Sequence, residues 1–355
     1  MEKRLKRFRL LVNATLVLTL MVIALGAYTR LTDAGLGCPD WPGCYGLLHA
    51  PSKDHHIERA QANFPEATIE PHKARNEMLH RYIAGLLGLC VAAIFFYSLM
   101  IKHFRRLSGA LLLLVIFQAA LGMWTVTLNL LPLVVLGHLL GGFFLLCLLM
   151  LLRLEIGKVL LGDKPIGAEP ALCSLMPLGY LAVVVLVMQI ALGGWTSANY
   201  AAVVCYQLPF CEPGWQERFS LDAAFHLPLG HETYEYGVLP YEARMTIHVL
   251  HRMGAITTAL VLGCFIWLVW RRAQERMVKH LSLAVLGLLL IQILLGLINI
   301  LGHLPLLNAV AHNLVAANLL MFLVVLVRQL QWRTSLSVAH QPVAAVMSRG
   351  ESYGN

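Results

Sequence analysis

Two stretches of the chain set a histidine beside an arginine near the start of a long apolar run: NEMLHRYIAG at 76–85 and IHVLHRMGA at 247–255. Imidazole is a metal ligand, and guanidinium pairs bidentately with carboxylates. Two further histidines, His138 and His312, lie in other apolar runs. One histidine among apolar residues often does no more than hydrogen-bond a neighbouring helix. Four at repeated positions point further, because ionisable groups inside membrane segments are costly and tend to be functional. Each falls about five or six residues past the expected start of its helix, ~9 Å along it at ~1.5 Å per residue. Two parallel helices with histidines at matched depth can ligate one iron from both faces of a porphyrin, and bundle interiors commonly hold such sites. A small residue follows each histidine by four positions, on the same helix face: Ala84, Gly142, Ala255 and Ala316. His80, His138, His251 and His312 are therefore candidate axial ligands of haem iron.

Arg81 and Arg252 fit this reading as partners for haem propionates near the membrane surface, although an arginine at a helix end can also simply snorkel. Glu77 precedes His80 by three residues on the same face, and the aligned position in the second stretch is His248. A carboxylate beside one iron and not the other suggests unequal jobs, with Glu77 suited to proton transfer. A glutamate held by Arg75 or by a loop amide is the plainer alternative.

The elements that must carry these residues are helices in lipid. The chain has 355 residues, 58% of them hydrophobic and only 13% charged, far from the balance of a soluble domain. Eight apolar runs are long enough to span a bilayer, near 10–29, 79–101, 108–128, 132–152, 175–196, 247–270, 281–301 and 306–327. In lipid they must be α-helical, since the backbone finds no water to bond. The fold class expected is an all-α polytopic membrane protein. The net charge of +8 reflects orientation rather than nucleic-acid binding: the clusters Lys3–Arg9, Lys102–Arg106, Arg153–Lys164, Arg271–Lys279 and Arg328–Arg333 fall on one side if both termini are cytoplasmic. The run after Arg9 is long for a signal peptide and no A-x-A site follows it. With no Arg- and Ser-rich presequence, a bacterial inner membrane is expected.

The chain also repeats itself. Gly26, Thr29, Cys38 and Cys44 match Gly193, Thr196, Cys205 and Cys211 at an offset of 167, the His-Arg pairs match at 171, and Gly122 and His138 match Gly296 and His312 at 174. A shorter echo marks the odd spans: VIALGAYT at 22–29, QAALGMWT at 118–125, QIALGGWT at 189–196 and QILLGLIN at 292–299. Two tandem four-helix bundles related by a pseudo-two-fold repeat are expected. Residues 1–165, with an outer loop at 30–75, form the first, and 166–335, with an outer loop at 197–244, form the second. Residues 336–355 are a cytoplasmic tail. Cys38, Cys44, Cys205 and Cys211 lie in the long loops, where an oxidising exterior favours two short disulfides. Neither loop has the C-x-x-C spacing of a metal site, and a redox role stays open. Cys90, Cys147, Cys173 and Cys264 read as packing residues.

These residues together resemble the haem A synthase family. The resemblance is carried by GAYTRLTDAGLGCPDWPGC at 26–44, E-x-x-H-R at 77–81, the pair at 251–252, His138, His312 and the duplicated plan, and runs from about residue 10 to 330. It implies oxidation of the C8 methyl of haem O to a formyl group, giving haem A for terminal oxidases. Two successive hydroxylations are implied, with a gem-diol losing water. It further implies substrate haem between His80 and His138, with Glu77 beside the reacting methyl. A resident haem b between His251 and His312 would relay electrons. The implied partners are the farnesyltransferase that produces haem O and an unidentified electron partner; a homo-oligomer and the oxygen source stay open. A di-haem b cytochrome exchanging electrons with quinone is the alternative from another class, and a proton-carrying transporter is a third.

Overall fold

The computed structural model describes residues 2–162 and 167–339. Ten α-helices are present among them: α1 Glu2–Leu31, α2 Asp54–Asn63, α3 Pro71–Ile101, α4 Arg105–Thr127, α5 Pro132–Leu161, α6 Met176–Ala198, α7 Leu221–Ala224, α8 Tyr241–Arg272, α9 Arg276–Leu301 and α10 Leu306–Ala339. Eight are long and apolar enough to cross a membrane: α1, α3, α4, α5, α6 with the short turn before it, α8, α9 and α10. No strand occurs among the described residues. The all-helical polytopic class expected from composition is what the chain adopts. Of the expected tail, residues 340–355 lie outside the described residues, as do 163–166, including Lys164 of one basic cluster; 336–339 continue α10.

The helices outrun the apolar runs that announced them. α3 starts at Pro71 and α8 at Tyr241, each well before the apolar run. His80 therefore lies nine residues into its helix and His251 ten, against six for His138 and His312. The extra turns are polar and pack under the long loops, so hydropathy does not mark them. Pro71 and Pro132 suit their places in the first turn, where no intrahelical N–H is needed.

In the first half α1 packs against α3 and α5, and α4 lies between α3 and α5; in the second, α6 packs against α8 and α10, and α9 lies between α8 and α10. Between the halves α1 meets α10, α5 meets α6, and α5 meets α10. One apolar core runs through both, from Phe8, Val91 and Leu149 to Phe265, Val285 and Leu323. Of the free cysteines only Cys147 is buried in it. Cys90 is half-buried, while Cys173 and Cys264 are exposed, so packing explains fewer of them than expected.

At the end carrying the long loops, Arg30 bridges the halves. It donates to the Ser197 carbonyl at 2.7 Å and stacks 4.0 Å over the Tyr200 ring. The Tyr200 hydroxyl reaches Asp33 at 3.4 Å. At the other end Arg333 is 2% exposed and pairs with Glu275, with Glu169 at 3.7 Å and with Gln329. Glu169 also accepts from the Gln274 amide at 2.7 Å. Removing one partner from a buried charge cluster costs about 3–5 kcal/mol. Arg333→Met should therefore lower resistance to unfolding by SDS titration by that amount, whereas exposed Lys6→Met should leave it unchanged.

Candidate functional site

Each of the four histidines projects from one helix onto a glycine of the next. A Cβ on Gly26 of α1 would fall 3.0 Å from His80 Cε1, and one on Gly193 of α6 would fall 3.0 Å from His251 Cε1. Gly122 of α4 stands in the same relation to His138 at 3.4 Å, and Gly296 of α9 to His312 at 3.3 Å. The small residue against each imidazole thus comes from the neighbouring helix. The signal was in the sequence: these glycines are the fixed point of the short echo. All four rings are half-buried. α3 and α5, which bear His80 and His138, both pack against α1 and α4, and α8 and α10, which bear His251 and His312, both pack against α6 and α9, so each half brings its own two histidines together.

The ring nitrogens are suited to a metal. Nδ1 of His80, His138 and His312 is buried without a hydrogen-bond partner, a costly state that ligation or a partner relieves. No neighbouring side chain or other helix comes within 4 Å of where a Cβ on Gly142 would sit, one turn past His138. Paired imidazoles beside open space in an apolar bundle are the donor set of a bis-histidine haem, and the residues fit such a group.

Above each pair sits a short disulfide loop. Cys38 bonds Cys44 and Cys205 bonds Cys211, with S–S distances of 2.04 and 2.05 Å. In the first loop Asp40 accepts from the amides of Tyr45 at 2.6 Å and Gly46 at 2.8 Å, closing the turn. Labelling of free thiols in unreduced protein should accordingly find Cys90, Cys147, Cys173 and Cys264 and none of the loop cysteines. Four more labelled thiols before reduction would contradict the pairing.

The two arginines tie these loops down. Arg81 Nη1 donates to the carbonyls of Asp40 at 2.9 Å and Gly43 at 2.5 Å. Arg252 donates to the carbonyls of Cys205, Gln207 and Phe210. Arg252 Nη1 and Nη2 and Arg81 Nη1 are thus engaged by loop carbonyls. Arg252 Nε remains, buried and without a partner.

Glu77 is 4% exposed and has both carboxylate oxygens engaged. Oε1 accepts from Arg81 Nη2 at 2.5 Å, and Oε2 from the Cys38 amide at 2.8 Å. The loop amide anticipated as the plainer partner is therefore present, while the cation is Arg81 rather than Arg75. His248, at the matching place in the second half, is equally buried, with Nδ1 unpartnered. Arg252 thus has no carboxylate equivalent to Glu77 one turn before it.

Outside the spans, burial raises the pKa of Glu235 and of Tyr200, both at the seam near Arg30. Neither was singled out from sequence, since their setting depends on loops from both halves.

Against known proteins, residues 9–324 match the family model described as cytochrome oxidase assembly protein. A haem A synthase of Shewanella oneidensis is 48% identical over 331 residues, covering 93% of this chain and 98% of that one. The chain belongs to the haem A synthase family. More distant members are similar over nearly as much of the chain. The haem A synthase of Neorickettsia sennetsu is 24% identical over 88% of this chain and 96% of its own. That of Erythrobacter litoralis is 25% identical over 86% and 91%. Family membership covers both histidine pairs, both disulfide loops and Glu77, all within the matched residues.

Proposed function

We propose that the chain is a haem A synthase, oxidising the C8 methyl of haem O to a formyl group. The observation that carries this is the pair of unequal histidine sites, one with a buried carboxylate one turn before its His-Arg pair and one without, in a chain of this family. The first half takes haem O between His80 and His138, and the second holds a resident haem b between His251 and His312. When bound, the resident haem supplies one-electron transfer. The methyl is hydroxylated twice and the resulting gem-diol loses water.

The protein's own residues do the rest. Each imidazole is aimed by the glycine beneath it and by the helix that bears it. Arg81 and Arg252 fasten the disulfide loops over the two sites and so limit water above them. Arg252 Nε is the donor left for a propionate of the resident haem, and Arg81, whose Nη atoms hold the loop and Glu77, has Nε left for a propionate of the substrate haem. Glu77 holds or accepts a proton beside the reacting carbon, and Arg81 keeps it oriented. The matched neighbours of the helices support a pseudo-two-fold relation between the halves. The basic clusters support cytoplasmic termini and a bacterial inner membrane. The farnesyltransferase that makes haem O supplies the substrate, and an electron carrier yet to be identified serves the second half.

The test is complementation. A bacterium lacking its own haem A synthase should regain haem A in its terminal oxidase when it expresses this chain. A strain with the chain in its membrane and haem O but no haem A would refute the proposal; haem B alone bound to the chain would favour the quinone-linked cytochrome.

A further inference from the structure

The imidazoles of the two halves are held differently. In the second half both meet a glutamine carboxamide. Gln189 Nε2 lies 3.1 Å from His251 Nδ1 and donates to the His251 carbonyl at 2.9 Å. Gln292 Nε2 lies 3.2 Å from His312 Nε2. Room for Gln189 is made by Gly254, where a Cβ would fall 2.2 Å from Gln189 Oε1.

In the first half neither ring has such a partner. His80 Nδ1 and His138 Nδ1 are buried and unbonded. Val22, Gln118, Gln189 and Gln292 each precede by four residues the glycine that supports an imidazole. At the place that would serve His80 stands valine, which has no hydrogen-bonding group. Gln118 is present, but its amide is lodged where Gly141 leaves space, with Nε2 buried and unpartnered.

We infer that Gln189 and Gln292 are positioning residues that fix His251 and His312 as ligands and slow haem loss from the second half, while Val22 leaves His80 the loosely held imidazole of the first. This rests on the haem assignment proposed above. An imidazole hydrogen-bonded at one nitrogen has a fixed orientation for a metal at the other. As placed, each amide nitrogen faces an unprotonated ring nitrogen. A ring with iron on its other nitrogen carries its proton here, and the carboxamide oxygen accepts that proton once the amide turns, which for Gln189 gives up the donation to the His251 carbonyl. A resident haem gains from this restraint. A substrate that must leave after each turnover does not.

Loss of such a partner typically weakens metal binding ~10–100-fold. The experiment uses full-length protein purified in detergent with its haem, mixed with excess haem-free myoglobin. Gln189→Leu and Gln292→Leu should each release haem at least about 10-fold faster than wild type. Val22→Gln should slow release of haem O loaded into the first half. Wild-type release rates in the leucine variants would overturn the inference. If Gln189→Leu does not fold, unchanged release in both Gln292→Leu and Val22→Gln overturns it equally. Failure of the underlying haem assignment looks different: wild-type protein would then carry no haem that depends on His251 or His312.

Discussion

Glu77→Gln should retain bound haem and form haem A at least about 10²-fold more slowly per bound haem, within the ~10²–10⁴ range for loss of a positioned acid or base. Removing a methyl hydrogen in a site shielded from water needs a group to take the proton, or a negative charge to stabilise the carbon as it becomes electron-poor. Glu77 is the buried carboxylate that precedes His80 by one turn. Glutamine keeps the shape and can still accept from the Cys38 amide, but it turns a donor toward Arg81 and carries no charge. A purely architectural Glu77 gives another pattern: the disulfide loop loosens, less haem is held, and what remains is fully active. Haem A formed per bound haem, with haem content measured on the same sample, separates the two. Turnover within about twofold of wild type in the well-folded glutamine variant would remove Glu77 from the chemistry.

His251→Ala should abolish the low-spin b-type spectrum of the purified protein, while His80→Ala should leave that spectrum in place. The reason is geometric. His80 and His138 stand on helices that both pack against α1 and α4, and His251 and His312 on helices that both pack against α6 and α9, so each pair belongs to its own half. An alanine cannot ligate iron, and the remaining imidazole alone gives at best a high-spin species. Because Gly193 lies against His251, the alanine also leaves a gap beside the helix, so folding is checked by retention of both disulfides. A full low-spin signal in folded His251→Ala would show that the resident haem is held elsewhere.

Much of this was legible in the residues, and the rest was hidden for physical reasons. The eight spans follow from the apolar runs because a bilayer demands ~20 such residues per helix. The four histidines and the four loop cysteines followed from repetition, which an apolar background makes conspicuous. The true starts of α3 and α8 did not follow, because their first turns are polar and are stabilised by loops folded over them. The arginine contacts were hidden too. Arg81 and Arg252 bond backbone carbonyls, which every residue carries and no sequence pattern marks. Glu77 was picked out by its asymmetry with His248, yet its partners, the Cys38 amide and Arg81, needed the loop's path. Gln189 and Gln292 were visible as part of an echo. Their reach to the imidazoles depended on helix rotation and on space left by Gly254, neither of which periodicity alone supplies.

What the chain makes of haem O decides its function. The most direct measurement is chromatography with mass detection of the haems extracted from cells that co-express this chain with a haem O-producing farnesyltransferase, in a background with no other haem A synthase. The predicted result is a new haem whose mass and spectrum are those of the C8-formyl derivative, present with wild type and greatly reduced with Glu77→Gln. Haem O and haem B alone, with the folded wild-type chain present in the membrane, would contradict it.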